Sequence, residues 1–318
     1  MQQSSQSRNN PSRNNPGDRQ DRGDRNDRND RGDRNAPRGR GPGGSGGGNR
    51  PQHRRHPRPS TNIAAEIIFN GTRRIGSASK LGLMILAVLG GGLMALSAVF
   101  ALQLAGAIEN PMGQQIALTF GFTAGLFLVL ASNSVLFTEA NILVPANLYG
   151  VKVGSGFLRL FIFWILAWFG NYIGIFLTVS LLKLAGTQLT GSAAIIKTFT
   201  DQKLLISANG PMIGILPLFI SGVLANWVMG IATLFATYNR VAMGKIMCLL
   251  FGVAVIIFAN FQFFPINAAL FAVAGLVDPS VNTWQTLINN LIPVSLGNLV
   301  GGAFLVSLPL ILQMRRAR

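Results

Sequence analysis

The sequence predicts an all-α polytopic membrane protein with six transmembrane helices. These are arranged as two inverted three-helix halves, and the second and fifth helices are broken. Three observations carry this prediction. Of the 318 residues, 49% are hydrophobic and only 12% are charged, against about a quarter in ordinary soluble domains. Six apolar stretches after residue 80 are long enough to cross a bilayer. Two of these stretches have polar interruptions at matching places.

The N-terminal segment 1–60 contains no Leu, Ile, Val, Phe, Trp or Tyr. Because nothing there can be buried to offset chain entropy, we expect residues 1–60 to form a disordered Arg/Asp/Gly-rich cytoplasmic tail. Its 14 Arg and 6 Asp account for half of the net charge of +16. Binding of anionic lipid or RNA by this tail is an alternative. The tail lacks aromatic residues on which bases could stack, which disfavours nucleic acid as a partner.

The next segment, residues 61–80, has isoleucines near helical spacing and predicts an amphipathic helix lying at the membrane interface. A six-span membrane domain follows at 81–312, and residues 313–318 form a basic cytoplasmic C-terminus. The six spans lie at about 81–107, 115–149, 158–184, 212–238, 246–277 and 285–312.

The second and fifth spans are too long and too interrupted for simple helices. Span two contains Ser132-Asn133-Ser134 and then Glu139, whereas span five contains Asn260, Gln262 and Pro265. Polar side chains and a proline at membrane mid-depth are tolerated where the backbone lines a cavity or is packed inside protein. Both spans are therefore predicted to be broken helices.

The two halves of the membrane domain resemble each other. Asn171 follows a glycine in span three, and Asn298 follows a glycine in span six. The offset between these two asparagines is equal to the offset between Asn133 and Asn260 in the two interruptions. Three spans per half invert the second half relative to the first. Paired broken helices at matching positions are typical of a transport path near the bilayer midplane.

Positive charge predicts the orientation in the membrane. With the N-terminus inside, the outer loops carry Lys183, Lys197 and Lys203. The inner ends carry ten basic residues, namely Arg73, Arg74, Lys80, Lys152, Arg159, Arg240, Lys245, Arg315, Arg316 and Arg318. We therefore expect a multi-pass protein of the plasma or inner membrane with both termini cytoplasmic.

Four motifs in the membrane domain point to a known family. The most specific is NNLIPVSLGNLVGG at 289–302, supported by LFT at 136–138, GN at 170–171 and LANW at 224–227. From about residue 60 to 312 the chain resembles the formate/nitrite transporter family of bacterial anion channels. The resemblance implies an aquaporin-like protomer, a homopentamer with one pore per protomer, and small monovalent anions or their acids as substrates. Formate, nitrite, hydrosulfide and lactate are family substrates.

The resemblance also implies which residues line the pore. The family positions fall on Phe122, Leu126, Leu136, Thr138, Asn226, Asn267 and Asn298. The family's central histidine is replaced by Phe263, so the chain resembles a divergent member that lacks this group. The only histidines are His53 and His56 in the tail, which excludes a histidine proton relay in the membrane domain.

The residues suggest how a weak acid would cross such a pore. An anion loses much solvation energy in an apolar constriction, and the same environment favours the neutral acid. A vestibule with Lys245 on the inner side, and Lys197 or Lys203 on the outer side, would gather the anion. Glu139 is a candidate proton or charge site in the pore. Alternatively, it is a subunit-interface carboxylate bonded to Asn141 or Ser134.

These observations predict a channel or transporter for small monovalent anions or their neutral weak acids, passive or weakly proton-coupled and without a cofactor. One alternative is an aquaglyceroporin-like channel for neutral solutes. Another is a non-transporting membrane scaffold whose tail binds RNA or lipid. The sequence has no metal-ligand spacing, nucleophile constellation or nucleotide-binding loop, so we do not expect an enzyme.

Overall fold

The computed structural model describes residues 70, 71, 73, 79–147, 153–187, 189–205, 211–281 and 283–316. The predicted tail at 1–60 and most of the predicted amphipathic segment at 61–80 lie outside these residues. Among the described residues all regular structure is helical. This result confirms the predicted all-α class.

The first four helices make up the N-terminal half, and a short helix, α5, follows them. These five helices are α1 Lys80–Gly106, α2 Pro111–Ala131, α3 Phe137–Asn147, α4 Val153–Leu184 and α5 Ala193–Leu205. The C-terminal half continues with α6 Pro211–Tyr238, α7 Ala242–Phe258 and α8 Phe264–Val277. The last helix, α9, consists of Thr283–Thr286, Leu287–Leu291, Ile292–Val300, Gly301–Ser307 and Leu308–Arg316 in succession, and its second and fourth segments are π-helical.

Five helices of the described part, α1, α2, α4, α6 and α9, are long and apolar enough to cross a membrane. The shorter apolar helices α7 and α8 together occupy the predicted fifth span. The total of six transmembrane helices therefore stays a prediction, although the helical class and its order are as expected.

Two of these helices begin at recognisable caps. The Ser79 side chain accepts a hydrogen bond from the Gly82 N–H at 3.0 Å where α1 begins. At the start of α2 the Asn110 side chain accepts from the N–H groups of Met112 and Gly113. Such side chains satisfy N–H groups that have no partner within the helix, and this fixes where the helix begins.

The structure confirms both predicted helix breaks. The chain leaves α2 at Ala131 and restarts at Phe137, and it leaves α7 at Phe258 and restarts at Phe264. Each break contains an asparagine at positive φ, Asn133 at 53° and Asn260 at 51°. Asparagine is one of the few residues other than glycine that adopts this left-handed conformation readily.

Asn171 on α4 holds the first break in place. Its Oδ1 accepts from the Phe137 N–H at 2.8 Å, at the restart of the broken helix. Its Nδ2 donates to the carbonyls of Ala87 and Val135, both at 2.8 Å. The amide therefore ties α1, the break and α3 together, and its side chain is fully buried.

Asn298 on α9 repeats this arrangement in the second half. Its Oδ1 accepts from the Phe264 N–H at 2.9 Å, and its Nδ2 donates to the carbonyls of Gly222 and Gln262 at 2.8 and 3.1 Å. Its partners Gln262 and Phe264 follow the Asn171 partners Val135 and Phe137 by the same number of residues as Asn298 follows Asn171. The remaining partner, Gly222 in α6, follows its counterpart Ala87 in α1 by a larger number. These matched contacts confirm the predicted inverted halves.

The two halves meet through pairs of equivalent residues. The rings of Phe137 and Phe264, which occupy equivalent positions, pack edge to face with centroids 5.7 Å apart. Trp168 and Ser295 are also equivalent, and the indole Nε1–H donates to the hydroxyl at 2.8 Å. Contacts between equivalent positions lie where the halves face each other. The centre of the molecule is therefore formed by both broken helices.

Close helix packing depends on a pair of equivalent glycines. A Cβ at Gly174 would overlap the Val88 carbonyl of α1, and a Cβ at Gly301 would overlap the Val223 carbonyl of α6. Small residues let membrane helices approach backbone to backbone. Each half therefore packs its third spanning helix tightly against its first.

Candidate functional site

Three cavities lie along the broken helices: the Lys203 cavity, the central cavity and the Glu139 cavity. The Lys203 cavity is lined by Leu102, Leu118, Phe122, Phe199, Lys203, Ile256, Ile257, Asn260, Ile266 and Leu270. The central cavity is lined by Leu126, Val129, Leu130, Leu136, Thr138, Glu139, Asn226, Thr233, Leu249 and Phe263. The Glu139 cavity is lined by Asn70, Arg73, Asn133, Glu139, Ile142, Leu143, Thr233, Leu234, Thr237 and Tyr238.

Helix α2 gives the order of these cavities. Phe122 lines the Lys203 cavity, Leu126 lines the central cavity, and Asn133, just beyond the helix end, lines the Glu139 cavity. A helix rises about 1.5 Å per residue, so Phe122 and Leu126 differ in depth by about 6 Å. The three cavities thus follow one another along a path, with the Lys203 and Glu139 cavities at its opposite ends.

The central cavity is narrow and largely apolar. Leu136 and Phe263, equivalent positions of the two halves, both line it, together with Leu126. Its volume is about 20 Å³, and that of the Lys203 cavity is about 10 Å³. Each holds about one water molecule. A larger solute must therefore move side chains to pass.

The polar residues that line the central cavity are Thr138, Glu139, Asn226 and Thr233. The Asn226 Nδ2 donates to the Thr138 carbonyl at 3.3 Å and to the Asn298 carbonyl at 2.6 Å. Asn298 itself lines none of the three cavities, and its side chain binds backbone groups instead. Thr138 and Asn226 line the central cavity, and their pore roles stay predictions. The contacts of Asn298 are those of a residue that packs a broken helix.

Behind Phe263, buried amides form a chain of hydrogen bonds. Asn267 Nδ2 donates to Gln262 Oε1 at 2.8 Å and to Asn290 Oδ1 at 2.9 Å, and Asn290 Nδ2 donates to the Lys203 carbonyl at 3.1 Å. The Asn267 Oδ1 has no hydrogen-bond partner among the described residues. Asn290 lies within the 289–302 motif that carries the family resemblance, but no pattern in the sequence predicts these contacts.

The two candidate lysines of α5 differ in environment. Lys203 is only 4% exposed, and this burial lowers the pKa of its ammonium group to about 7. Lys197 is exposed and pairs with Asp201 at 3.0 Å, and the hydrogen bond to this carboxylate raises the pKa of the lysine. Lys197 and Lys245 line none of the three cavities. Of the predicted vestibule lysines, Lys203 is therefore the one placed on the path.

Glu139, in the first turn of α3, lies between the central and Glu139 cavities and lines both. The Glu139 cavity is the largest of the three, at about 180 Å³, and Arg73 and Tyr238 also line it. Of the two partners predicted for Glu139 in the alternative, Asn141 is not bonded to it, because both Asn141 side-chain amide atoms lack hydrogen-bond partners among the described residues. A bond from Glu139 to Ser134 stays a prediction. Glu139 therefore lies where two cavities meet, and its role as a proton or charge site stays a prediction.

The fold and the path define a class of protein. Two inverted halves, each with a broken helix at the centre and cavities along it, form a multi-pass membrane protein of the channel or transporter type. The chain belongs to the formate/nitrite transporter family, because the family model described as formate/nitrite transporter matches residues 61–312.

Relatives and solved structures agree with this assignment. A probable formate transporter of Methanothermobacter thermautotrophicus is 29% identical over 212 residues, which cover 60% of this chain and 73% of the relative. The formate channel BtFdhC of Bacillus thuringiensis is 25% identical, covering 76% and 90% of the two chains.

Two solved structures share the fold. One, an FNT family ion channel, has a TM-score of 0.67 at 20% identity over 80% of this chain and 98% of its own. The other, a pentameric formate channel with formate bound, has a TM-score of 0.61 at 22% identity over 75% and 98%. The family consists of channels and transporters for small anions, and this chain is accordingly a small-anion membrane transport protein.

Proposed function

We propose that this protein carries small monovalent weak acids, such as formic or nitrous acid, through the centre as neutral molecules. The transport is passive, and one proton crosses within each neutral molecule. The observation that carries the proposal is the central cavity, in which Leu136 and Phe263 face the path and no histidine is present among its lining residues. Bare anions are strongly disfavoured in such an environment, whereas neutral acids are tolerated.

The charged residues at the two ends of the path complete the mechanism. Lys203 at one end gathers the anion, and Phe122, Leu126 and Phe263 form the apolar constriction that the neutral acid crosses. Thr138 and Asn226 offer hydrogen bonds at the centre. Beyond it, the acid reaches the wider Glu139 cavity and loses its proton there. Asn267 and Asn298 support this path by holding the second broken helix.

The relatives and the surface suggest the assembly and orientation. A neighbour of the same fold is pentameric, and exposed apolar side chains such as Phe120, Phe169 and Leu296 suit neighbouring protomers or lipid. We therefore propose a homopentamer with one path per protomer, in the plasma or inner membrane. With both termini cytoplasmic, the Lys203 cavity faces outward, and the 1–60 tail is dispensable for flux.

Uptake into proteoliposomes tests the function. Formate, nitrite and lactate are each supplied across a range of external pH, with empty liposomes as the baseline. We expect uptake above the baseline that increases as the pH falls. In Phe263→His, an added titratable group strengthens the pH dependence around the ordinary histidine pKa of about 6.5. Uptake that never exceeds that of empty liposomes contradicts the proposal, and identical pH profiles for the two proteins contradict the role of Phe263.

A second candidate is a channel for neutral solutes. The apolar walls of the central cavity, combined with the Asn226 amide and Thr138, favour it. A stopped-flow assay with a small neutral solute such as urea or glycerol discriminates between the two. Fast flux of that solute without weak-acid uptake supports the second candidate and rejects the first.

A further inference from the structure

Five aromatic side chains form a continuous row of ring contacts beside the second break. The Trp168 indole stacks on Phe264 with ring centroids 5.4 Å apart, and it stacks on Tyr172 at 5.5 Å. Tyr172 also contacts Phe176 at 4.7 Å, and Phe137 meets Phe264 edge to face at 5.7 Å. Rings in such arrangements attract each other beyond the burial of their area. These five residues, here called the aromatic row, therefore hold one another in place.

The aromatic row is joined to the apolar constriction through neighbouring residues. Phe263 and Leu136 line the central cavity, and each is followed directly by a member of the row, Phe264 or Phe137. The Phe263 backbone is extended, with φ −123° and ψ 117°. Successive side chains of an extended chain point to opposite sides. The Phe263 ring therefore faces the cavity while the Phe264 ring faces the row.

The backbone on either side of Phe263 is also fixed. The N–H groups of Gln262 and Phe264 both donate to side chains of other helices, at 3.0 and 2.9 Å. The Phe264 side chain is fully buried, and a close-packed interior leaves such a ring no space to move by itself. Phe263 can therefore leave its place only if the ring contact between Phe264 and Trp168 is given up.

The equivalent positions in the second half carry small or aliphatic side chains. Trp168, Tyr172 and Phe176 correspond to Ser295, Leu299 and Ala303. Phe264 thus stacks on a tryptophan, whereas the equivalent neighbour of Phe137 is a serine. The two walls of the constriction differ accordingly. When a solute larger than water displaces side chains at the centre, Leu136 and Leu126 yield while Phe263 stays.

We propose that Trp168 is a positioning residue that sets which weak acids pass the centre. The inference rests on the proposed weak-acid function. Trp168 acts through Phe264 and holds Phe263 as a rigid wall, so that the passage widens only by movement of the leucines opposite it. Formic and nitrous acid are then preferred to acids that carry a further carbon, such as acetic acid.

Selectivity between formate and acetate separates positioning from stability. Uptake of both acids is measured with the same proteoliposomes at the same pH, so the ratio of the two rates does not depend on the amount of folded protein. Trp168→Leu removes the ring stacked on Phe264, whereas Trp168→Phe keeps a ring there and loses only the hydrogen bond to Ser295. Trp284→Leu is the matched control, because Trp284 is exposed and lines none of the three cavities.

An apolar site discriminates one methylene group by about 10–200-fold. We expect the acetate-to-formate ratio to increase about tenfold in Trp168→Leu, and to stay near the wild-type value in Trp168→Phe and Trp284→Leu. If Trp168→Leu does not fold, Tyr172→Leu removes the next ring of the row and should raise the ratio by a smaller factor.

The ratio also decides against the inference. A wild-type ratio in the folded Leu variants of Trp168 and Tyr172 overturns it, even where both rates fall together, because Trp168 then serves stability alone. An increase in Trp284→Leu equal to that in Trp168→Leu overturns it as well. Absence of uptake of either acid by the unmodified protein contradicts the proposed function instead.

Discussion

Removing the Asn298 side chain tests whether this residue holds the broken helix or lines the pore. In Asn298→Ala the Phe264 N–H and the Gln262 carbonyl lose the hydrogen bond of the amide side chain. The Gly222 carbonyl loses the same side-chain bond but remains within helix α6. The residue is fully buried, so water does not replace the amide. The start of α8 should therefore become less stable.

The magnitude follows from these three contacts. Each net hydrogen bond contributes about 1 kcal/mol, and a buried group left without a partner costs about 1–3 kcal/mol. The expected loss in the free energy of unfolding is therefore about 3–5 kcal/mol. For a domain of this size that lowers Tm by roughly 6–20 °C. Asn110→Ala removes an exposed helix cap and should cost only about 1 kcal/mol.

Thermal unfolding of the purified protein in detergent measures the difference. Asn171→Ala, the equivalent substitution in the other half, should lower Tm by a similar amount, and Asn110→Ala by a few degrees. If the Tm of Asn298→Ala is as high as that of Asn110→Ala while substrate flux changes, then Asn298 does not hold the broken helix and lines the pore instead.

Three further predictions concern the path and the contact between halves. Glu139→Gln removes a negative charge from two cavities, so anion uptake at neutral pH should increase, and unchanged uptake contradicts a role in the path. Burial in the folded state lowers the pKa of Lys203 from 10.5 to about 7. Between these two pH values the unfolded state therefore binds more protons than the folded state does. Stability should therefore rise with pH across this window, by up to about 1.4 kcal/mol per pH unit, and an unchanged slope in Lys203→Met refutes this. The free energy of unfolding should fall by about 1 kcal/mol in Trp168→Phe and by about the same in Ser295→Ala, and by little more in the double variant. Tm values of the three variants form the double-mutant cycle, and fully additive losses would mean that the bond does not couple the halves.

Periodic and symmetric features of the fold were predictable from the sequence. Apolar length identified the spans, and the polar interruptions at Asn133 and Asn260 identified the breaks, because few polar groups are tolerated at mid-depth without a structural reason. The constant offset between the halves found the equivalent asparagines. The same offset does not relate Ala87 in α1 to Gly222 in α6, which are separated by a larger number of residues. Neither helix has a polar side chain at this contact from which the match could have been predicted.

Contacts between distant segments were not predictable. No sequence pattern distinguishes the buried Lys203 from the exposed Lys197, which precedes it on the same helix, because burial depends on how α5 packs against the rest. The amide chain through Asn290 was missed for the same reason. The side-chain amide of Asn141 has no hydrogen-bond partner among the described residues, although Glu139 is close to it in helix α3. Proximity in sequence therefore does not imply a hydrogen bond.

The charge of the species that crosses the centre tests the account most directly. Formate accumulation in proteoliposomes is measured at a fixed pH gradient while a potassium gradient with valinomycin sets the membrane potential. A potential of about 100 mV is equivalent to about 2.3 kcal/mol per charge, which would change the accumulation of an anion about fifty-fold. If the neutral acid crosses, accumulation follows the pH gradient and does not change with the potential. A fifty-fold response to the potential, independent of the pH gradient, would contradict the account.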